Sequence, residues 1–144
     1  MAAQMHLNTL MANMFRMGLL DNQFQHLHMF QDKSTPDFIA KVITVFGNES
    51  GQIIDDLRDM LHKSCVDFNK VSDLLYNLMG ITASVGALRL KNICIQFLEF
   101  CQEKSKDGCL KTLNILINEC IDLRIKSQIM VKLEQQAQTF DPKE

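Results

Sequence analysis

Leu74-Leu75-Tyr76-Asn77-Leu78-Met79-Gly80-Ile81-Thr82-Ala83-Ser84-Val85-Gly86-Ala87 is the stretch on which the reading of this chain turns. Residues three and four apart share one face of a helix. One face here collects Val71, Leu74 or Leu75, Leu78, Ile81 or Thr82, and Val85, which is the stripe of a helix packed on a core. The opposite face collects Tyr76, Met79, Gly80, Ala83, Ser84 and Ala87, with no Glu, Lys, Gln or Arg among them. A helix face turned to water normally carries such residues. A strip of small side chains lets another backbone approach closely. It suits either a docking surface for a partner or tight packing against the protein's own second helix or another neighbour.

Outward from this stretch the helical period continues almost without interruption, and no segment alternates as a half-buried strand would. The chain reads as all-α. A first helix covers about Ala3 to Met17 and stops at Gly18; a second opens at Asp21 and runs to about Phe30, with Phe24, Leu27 and Phe30 on one side. Thr35, Pro36 and Asp37 form a start signal for a third, as a cap, a first-turn proline and an acid that complements the helix dipole. Its stripe is Ile39, Val42, Phe46, Ile53, Leu57 and Met60, and Gly47 and Gly51 weaken its middle by about 1 kcal/mol each. A fourth helix spans about Asp67 to Val85, and a fifth about Leu88 to Lys104, with Leu90, Ile93, Phe97, Phe100 and Cys101 inward. After Lys106-Asp107-Gly108, a sixth runs from Cys109 to about Gln138. Four longer helices with short connections predict an up-and-down bundle over about 36–138, with two short N-terminal helices packed on it. The 144 residues then form one domain.

The apolar share of 47%, charged share of 22% and net charge of −2 are those of an ordinary globular domain, with no general attraction for nucleic acid. No run of about 18 apolar residues suggests a membrane span, and the N-terminal residues read as a helix rather than a signal peptide. The five cysteines, Cys65, Cys94, Cys101, Cys109 and Cys120, have no metal-ligand spacing and are expected as reduced, mostly buried thiols. No metal and no cofactor are expected.

The residues from Tyr76 to Ala87 resemble the signature of plant histidine-containing phosphotransfer (HPt) proteins, in which His-Gln-x-Lys-Gly precedes a Ser-rich run and Ile-Gly-Ala. Leu20-Asp21-Asn22-Gln23-Phe24 and Gln31-Asp32-Lys33-Ser34-Thr35-Pro36-Asp37-Phe38 are similar to the openings of that family's second and third helices. Arg89-Leu90-Lys91-Asn92-Ile93-Cys94 and Lys106-Asp107-Gly108-Cys109-Leu110 are similar to its fifth and sixth. The resemblance covers nearly the whole chain. It implies a four-helix bundle that docks the receiver domains of hybrid histidine kinases and response regulators.

Three substitutions depart from the family pattern. Tyr76 stands where the resemblance puts the phospho-accepting histidine, Asn77 where it puts the glutamine, and Met79 where it puts the lysine. Neutral imidazole is available near pH 7 and forms a labile phosphoramidate, whereas a phenol, with an ordinary pKa of about 10, stays protonated and forms a stable ester. A thioether cannot offset phosphoryl charge, although it adapts well to apolar contacts. His6, His26, His28 and His62 all lie outside the motif.

The expectation is therefore a pseudo-HPt protein, not an enzyme, that docks receivers and damps a two-component, cytokinin-type phosphorelay by competition. The alternative is an active phosphotransfer intermediate using another acceptor. A helical-bundle metal carrier is disfavoured, because no Glu-x-x-His occurs. The expected docking residues are Phe24, Leu27, His28, Gln31, Asp32, Tyr76, Asn77, Met79, Gly80, Ala83 and Ser84, with Arg89 and Lys91 as possible attractors of an acidic receiver pocket. The resemblance further implies a monomer resident in cytoplasm and nucleus.

Overall fold

The computed structural model describes residues 2–29, 31 and 37–139, with the side chains of 138 and 139 set aside. It contains α1 (Ala2–Arg16), α2 (Asn22–Met29), α3 (Phe38–Leu61), α4 (Phe68–Val85), α5 (Leu88–Gln102) and α6 (Lys106–Thr139). No strand occurs among the described residues. Helices α3 to α6 pack in a ring, α3 on α4, α4 on α5, α5 on α6 and α6 back on α3; α1 lies along α6 and α2 across α4. The all-α bundle expected from sequence is the fold observed.

One core runs through all six helices. Leu57, Leu61, Val71, Leu75, Leu78, Phe97 and Leu116 are wholly buried at its centre, while Leu7, Met14 and Phe24 bring in α1 and α2. The stripe on α4 resolves as Val71, Leu75, Leu78 and Thr82, with Leu74, Ile81 and Val85 at its edges. Cys94, Cys101 and Cys109 are buried, Cys120 is half-buried and Cys65 is exposed. Burial pushes the Cys94, Cys109 and Cys120 thiols up to about 12, so these three are protonated packing groups.

Local chemistry sets the helix ends. The Asp67 carboxylate accepts from the amides of Asn69 (3.1 Å) and Lys70 (3.2 Å) and caps α4. Three helices end in the same six-residue hydrogen-bond pattern, in which the residue after a left-handed position reaches back five and that position reaches back three. Leu19 and Gly18 bond Met14 and Phe15 at the end of α1. Ala87 and Gly86 bond Thr82 and Ala83 after α4, and Ser105 and Lys104 bond Phe100 and Cys101 after α5. The left-handed residues are Gly18 and Gly86 (φ 75° each) and Lys104 (φ 55°).

Several boundaries differ from the sequence reading. Helix α5 stops at Gln102, because Lys104 takes the left-handed turn that was expected to be helical. Helix α6 begins at Lys106, three residues before the expected Cys109, because the Ser105 hydroxyl accepts from the Gly108 amide (3.0 Å) and caps it. Thr35 and Pro36 of the expected α3 start lie outside the described residues. Asp37 precedes the helix without a side-chain cap, and the amide of Ile39 instead donates to the Gln31 side-chain oxygen (3.0 Å).

Gly86 also fixes the place of α2. The Asp21 amide donates to the Gly86 carbonyl (2.9 Å), and the Asp21 carboxylate accepts from Gln23 (2.9 Å) to open α2. A Cβ at Gly86 would collide with the Phe24 backbone nitrogen and lie 2.9 Å from Phe24 Cβ. Gly86→Ala is expected to lower stability by about 2 kcal/mol or more in denaturant titration, combining left-handed strain with that collision. Lys104→Gly should instead raise it by about 0.5–1 kcal/mol, because relief of left-handed strain outweighs glycine's extra entropy.

Candidate functional site

Burial of the Leu75–Leu78–Thr82 stripe fixes the rotation of α4 and so decides what the other side shows. Thr82 tolerates burial because its hydroxyl donates to the Met79 carbonyl (2.9 Å). Turned outward are Tyr76, 58% exposed, and Asn77, Gly80, Ala83 and Ser84. The small-residue strip is therefore open along most of its length. Two of its members differ from expectation. Ala87 is buried, because the chain has already turned into α5, and Met79 is half-buried and packed against the core.

Helix α2 borders this strip, tied to it by the Gln23 side-chain amide, which donates to the Ser84 carbonyl (3.3 Å). Phe24 faces inward at 4% exposure, its ring 6.5 Å from that of Phe15, so it serves as a core anchor and offers nothing to a partner. Leu27 is half-buried and lines a groove that runs between α2, α3 and α4, with a volume of about 730 Å³. Tyr76, Gly80 and Ser84 form its α4 wall, and Phe38, Lys41, Val45 and Glu49 form its α3 wall. The α3 contribution was missed from sequence. Its one signal was Val45, which lies off the apolar stripe of α3 and is 54% exposed.

His28 and Gln31, expected as partner contacts, are engaged inside the molecule. His28 Nε2 lies 2.5 Å from Glu134 Oε1 on α6, and the Gln31 side-chain amide donates to Glu134 Oε2 (2.8 Å). Gln31 thus joins the first turn of α3 to α6 through its two ends. Glu134 is only 7% exposed. Burial raises its carboxyl, but the hydrogen bonds from His28 and Gln31 and the charge of His28 outweigh this and hold it below the ordinary carboxylate range. Asp32 and Phe30 lie outside the described residues. Arg89 is also committed internally, to Glu119 (3.3 Å) and to the Met17 carbonyl at the end of α1.

The strip offers shape and apolar contact rather than reactive groups. No base hydrogen-bonds the Tyr76 hydroxyl among the described residues, and the thioether of Met79 supplies no charge beside it. Among the described residues no group of three His, Cys, Asp or Glu side chains could hold a metal ion, and no helix is long and apolar enough to cross a membrane.

No family model matches the chain. Histidine-containing phosphotransfer protein 1 of Oryza sativa subsp. japonica is 53% identical over 137 residues, which cover 95% of this chain and 93% of the relative. Histidine-containing phosphotransfer protein 2 of the same plant is 45% identical, with 96% and 93% covered. Pseudo histidine-containing phosphotransfer protein 6 of Arabidopsis thaliana is 33% identical, with 92% and 87% covered. A crystal structure of a histidine-containing phosphotransfer protein from rice superposes with a TM-score of 0.88 at 44% identity, over 94% of this chain and 97% of that one. A counterpart from Medicago truncatula gives 0.90 at 33% identity, over 95% and 93%. Overall similarity is thus greater to relatives named for the histidine than to the one named pseudo, and it does not support the expected place in a pseudo branch.

The Glu134 network sets a pH dependence. A carboxyl whose folded pKa is lowered adds stability that is complete above its ordinary value of 4.5 and is lost as pH falls through the lower folded value. Glu134→Gln should therefore cost about 1–2 kcal/mol at pH 7. In urea titrations the gap to the unsubstituted protein should close as pH drops below the carboxylate range.

Proposed function

The chain belongs to the plant histidine-containing phosphotransfer family of the two-component phosphorelay, and on that premise we propose that it is a non-catalytic member. In this reading it docks the receiver domains of hybrid histidine kinases or response regulators and withholds them from active phosphotransfer proteins. It thereby damps a cytokinin-type relay, acting as a monomer in cytoplasm and nucleus. The observation that carries the reading is Tyr76, exposed on an open strip of small residues, at the position where the family resemblance puts the phospho-accepting histidine.

A phenol at that point supplies a flat amphipathic ring suited to an interface. It does not supply a nucleophile that both accepts and returns a phosphoryl group near pH 7. The other histidines offer no substitute on the strip. His6 lies on α1, His28 is held by Glu134, His62 closes α3 with its Nδ1 2.6 Å from the Arg58 carbonyl, and His26 is on α2. The similarity to histidine-named relatives fits a loss of chemistry at one position in a chain otherwise close to active members. Leu27, Phe38 and Val45 extend the apolar contact around Tyr76, with Lys41 and Glu49 beside them on α3.

The test is to incubate the protein with a receiver carrying labelled phosphate and to follow binding and transfer together. Binding in the micromolar range, competition with an active phosphotransfer protein and no transfer of label are expected; transfer of label to this chain would overturn the reading. Gly80→Gln adds bulk where a Cβ meets nothing within 4 Å and replaces glycine by a better helix former. It should leave helicity and thermal stability unchanged or raised while weakening receiver binding by about tenfold or more, the loss of roughly 1.4 kcal/mol.

A further inference from the structure

Next to the Tyr76 groove, with Val42, Phe46 and Val85 as shared walls, lies a second cavity of about 350 Å³. It occupies the seam between α3 and α6. Gly47 and Gly51, one turn apart on α3, leave it open, since a Cβ at either would meet nothing within 4 Å. Its walls include Ile43 and Ile54 from α3 and Ile117 and Leu123 from α6, and Phe24 and Val85 close the end toward α2 and α4. Ser50 beside the glycines is buried, and its hydroxyl is spent on the Phe46 carbonyl (2.6 Å), so it adds little polarity to the wall.

Charge stands only at the lip, as Asp55, Arg58 and Arg124. Arg58 lies 3.7 Å from Asp55, and both are exposed. Arg124 has no hydrogen-bond or ion-pair partner among the described residues. The lip therefore carries one guanidinium beyond those that are neutralised. An apolar cavity of this size is within the range of about 300–1,000 Å³ typical of small-molecule sites, with few polar groups placed to orient the ligand. A planar guanidinium is the side chain best matched to a carboxylate, which it can hold by two parallel hydrogen bonds.

We propose that the α3–α6 seam is a binding site for a small apolar carboxylic acid, whose hydrocarbon part fills the space beside Gly47 and Gly51 and whose carboxylate meets Arg124. An apolar cavity of about 150 Å³ accommodates benzene. One of 350 Å³ fits a bicyclic aromatic acid. The cavity adjoins the groove of the docking face but is read by a different probe, so its test does not depend on receiver binding.

The probes are 2-naphthoate and 2-naphthamide, which share shape and differ in charge, titrated calorimetrically into the full chain with amide chemical shifts followed in parallel. Saturable binding of the acid is expected, with shifts centred on Gly47, Gly51 and Cys120. The acid should bind about tenfold or more tighter than the amide, the margin expected of a charge-assisted pair. Arg124→Gln should remove that margin without changing the fold, and Gly51→Leu, which fills the space, should abolish binding of both probes while circular dichroism and melting show an intact bundle. Equal affinity for acid and amide, or an affinity for the acid unaffected by Arg124→Gln, would overturn the carboxylate assignment. Absence of saturable binding by either probe, or shifts centred on the Tyr76 groove, would overturn the site.

Discussion

The left-handed turn at Gly86 is the constraint on which the arrangement of the molecule rests. It ends α4 by returning two amides to the carbonyls of its last turn, and it points the chain into α5 within two residues. Its own carbonyl then receives the Asp21 amide, so the start of α2 is pinned to the corner between two bundle helices. A side chain at position 86 would occupy the space of Phe24, so the corner and the N-terminal helices are fitted to each other. The candidate docking face depends on that fit, because it is assembled from α3, α4 and an α2 whose start is set at this corner. Phe24, buried beneath that face, acts as the rivet.

The same economy appears at Glu134. A buried carboxylate is costly unless its lone pairs are used, and here His28 in the last turn of α2 and Gln31 just beyond it use them. Gln31 spends its other end on the open first turn of α3, which lacks a cap from Asp37. One carboxylate on the last helix therefore organises the entry to the first long one. Arg89 does similar work at the opposite side, joining α5 to α6 and to the end of α1.

Much of this was legible in the sequence, for reasons that can be named. The apolar spacing of α4 showed which side is buried and grouped Tyr76, Met79, Gly80, Ala83, Ser84 and Ala87 opposite it. It left open whether that strip faced a partner or a neighbouring helix, and Met79 proves to be half-buried and Ala87 buried. Gly18 and Asp67 marked helix ends because their chemistry is local. Phe24, Leu27, His28 and Gln31 share a segment with the face, yet spacing alone could not say whether they look toward a partner or toward the core. For His28 and Gln31 that depends on Glu134, more than a hundred residues away in the chain. The end of α5 at Lys104 was illegible because a lysine rarely accepts a left-handed backbone, and only the surrounding turn makes it do so. The cavity beside Gly47 and Gly51 was foreshadowed as a weak point in α3, but a missing side chain leaves space only if the facing helix does not close in.

The two N-terminal helices both meet the last one. His28 and Glu134 are 106 positions apart, and α6, with 34 residues at 1.5 Å each, is about 51 Å long, enough to extend along both the bundle and α1. The bundle helices follow one another through short turns and find their neighbours locally. The contacts of α1 and α2 with α6 close nearly the whole chain into a loop, and loop closure grows more costly in entropy with length. Contacts of such sequence separation form at a high loop-closure cost, and those of α1 and α2 with α6 are of that kind. Leu27 belongs to α2, while Tyr76 belongs to the bundle. A partner laid across both would clamp α2 onto the bundle, and the N-terminal amides would then exchange with solvent more slowly in the complex than alone.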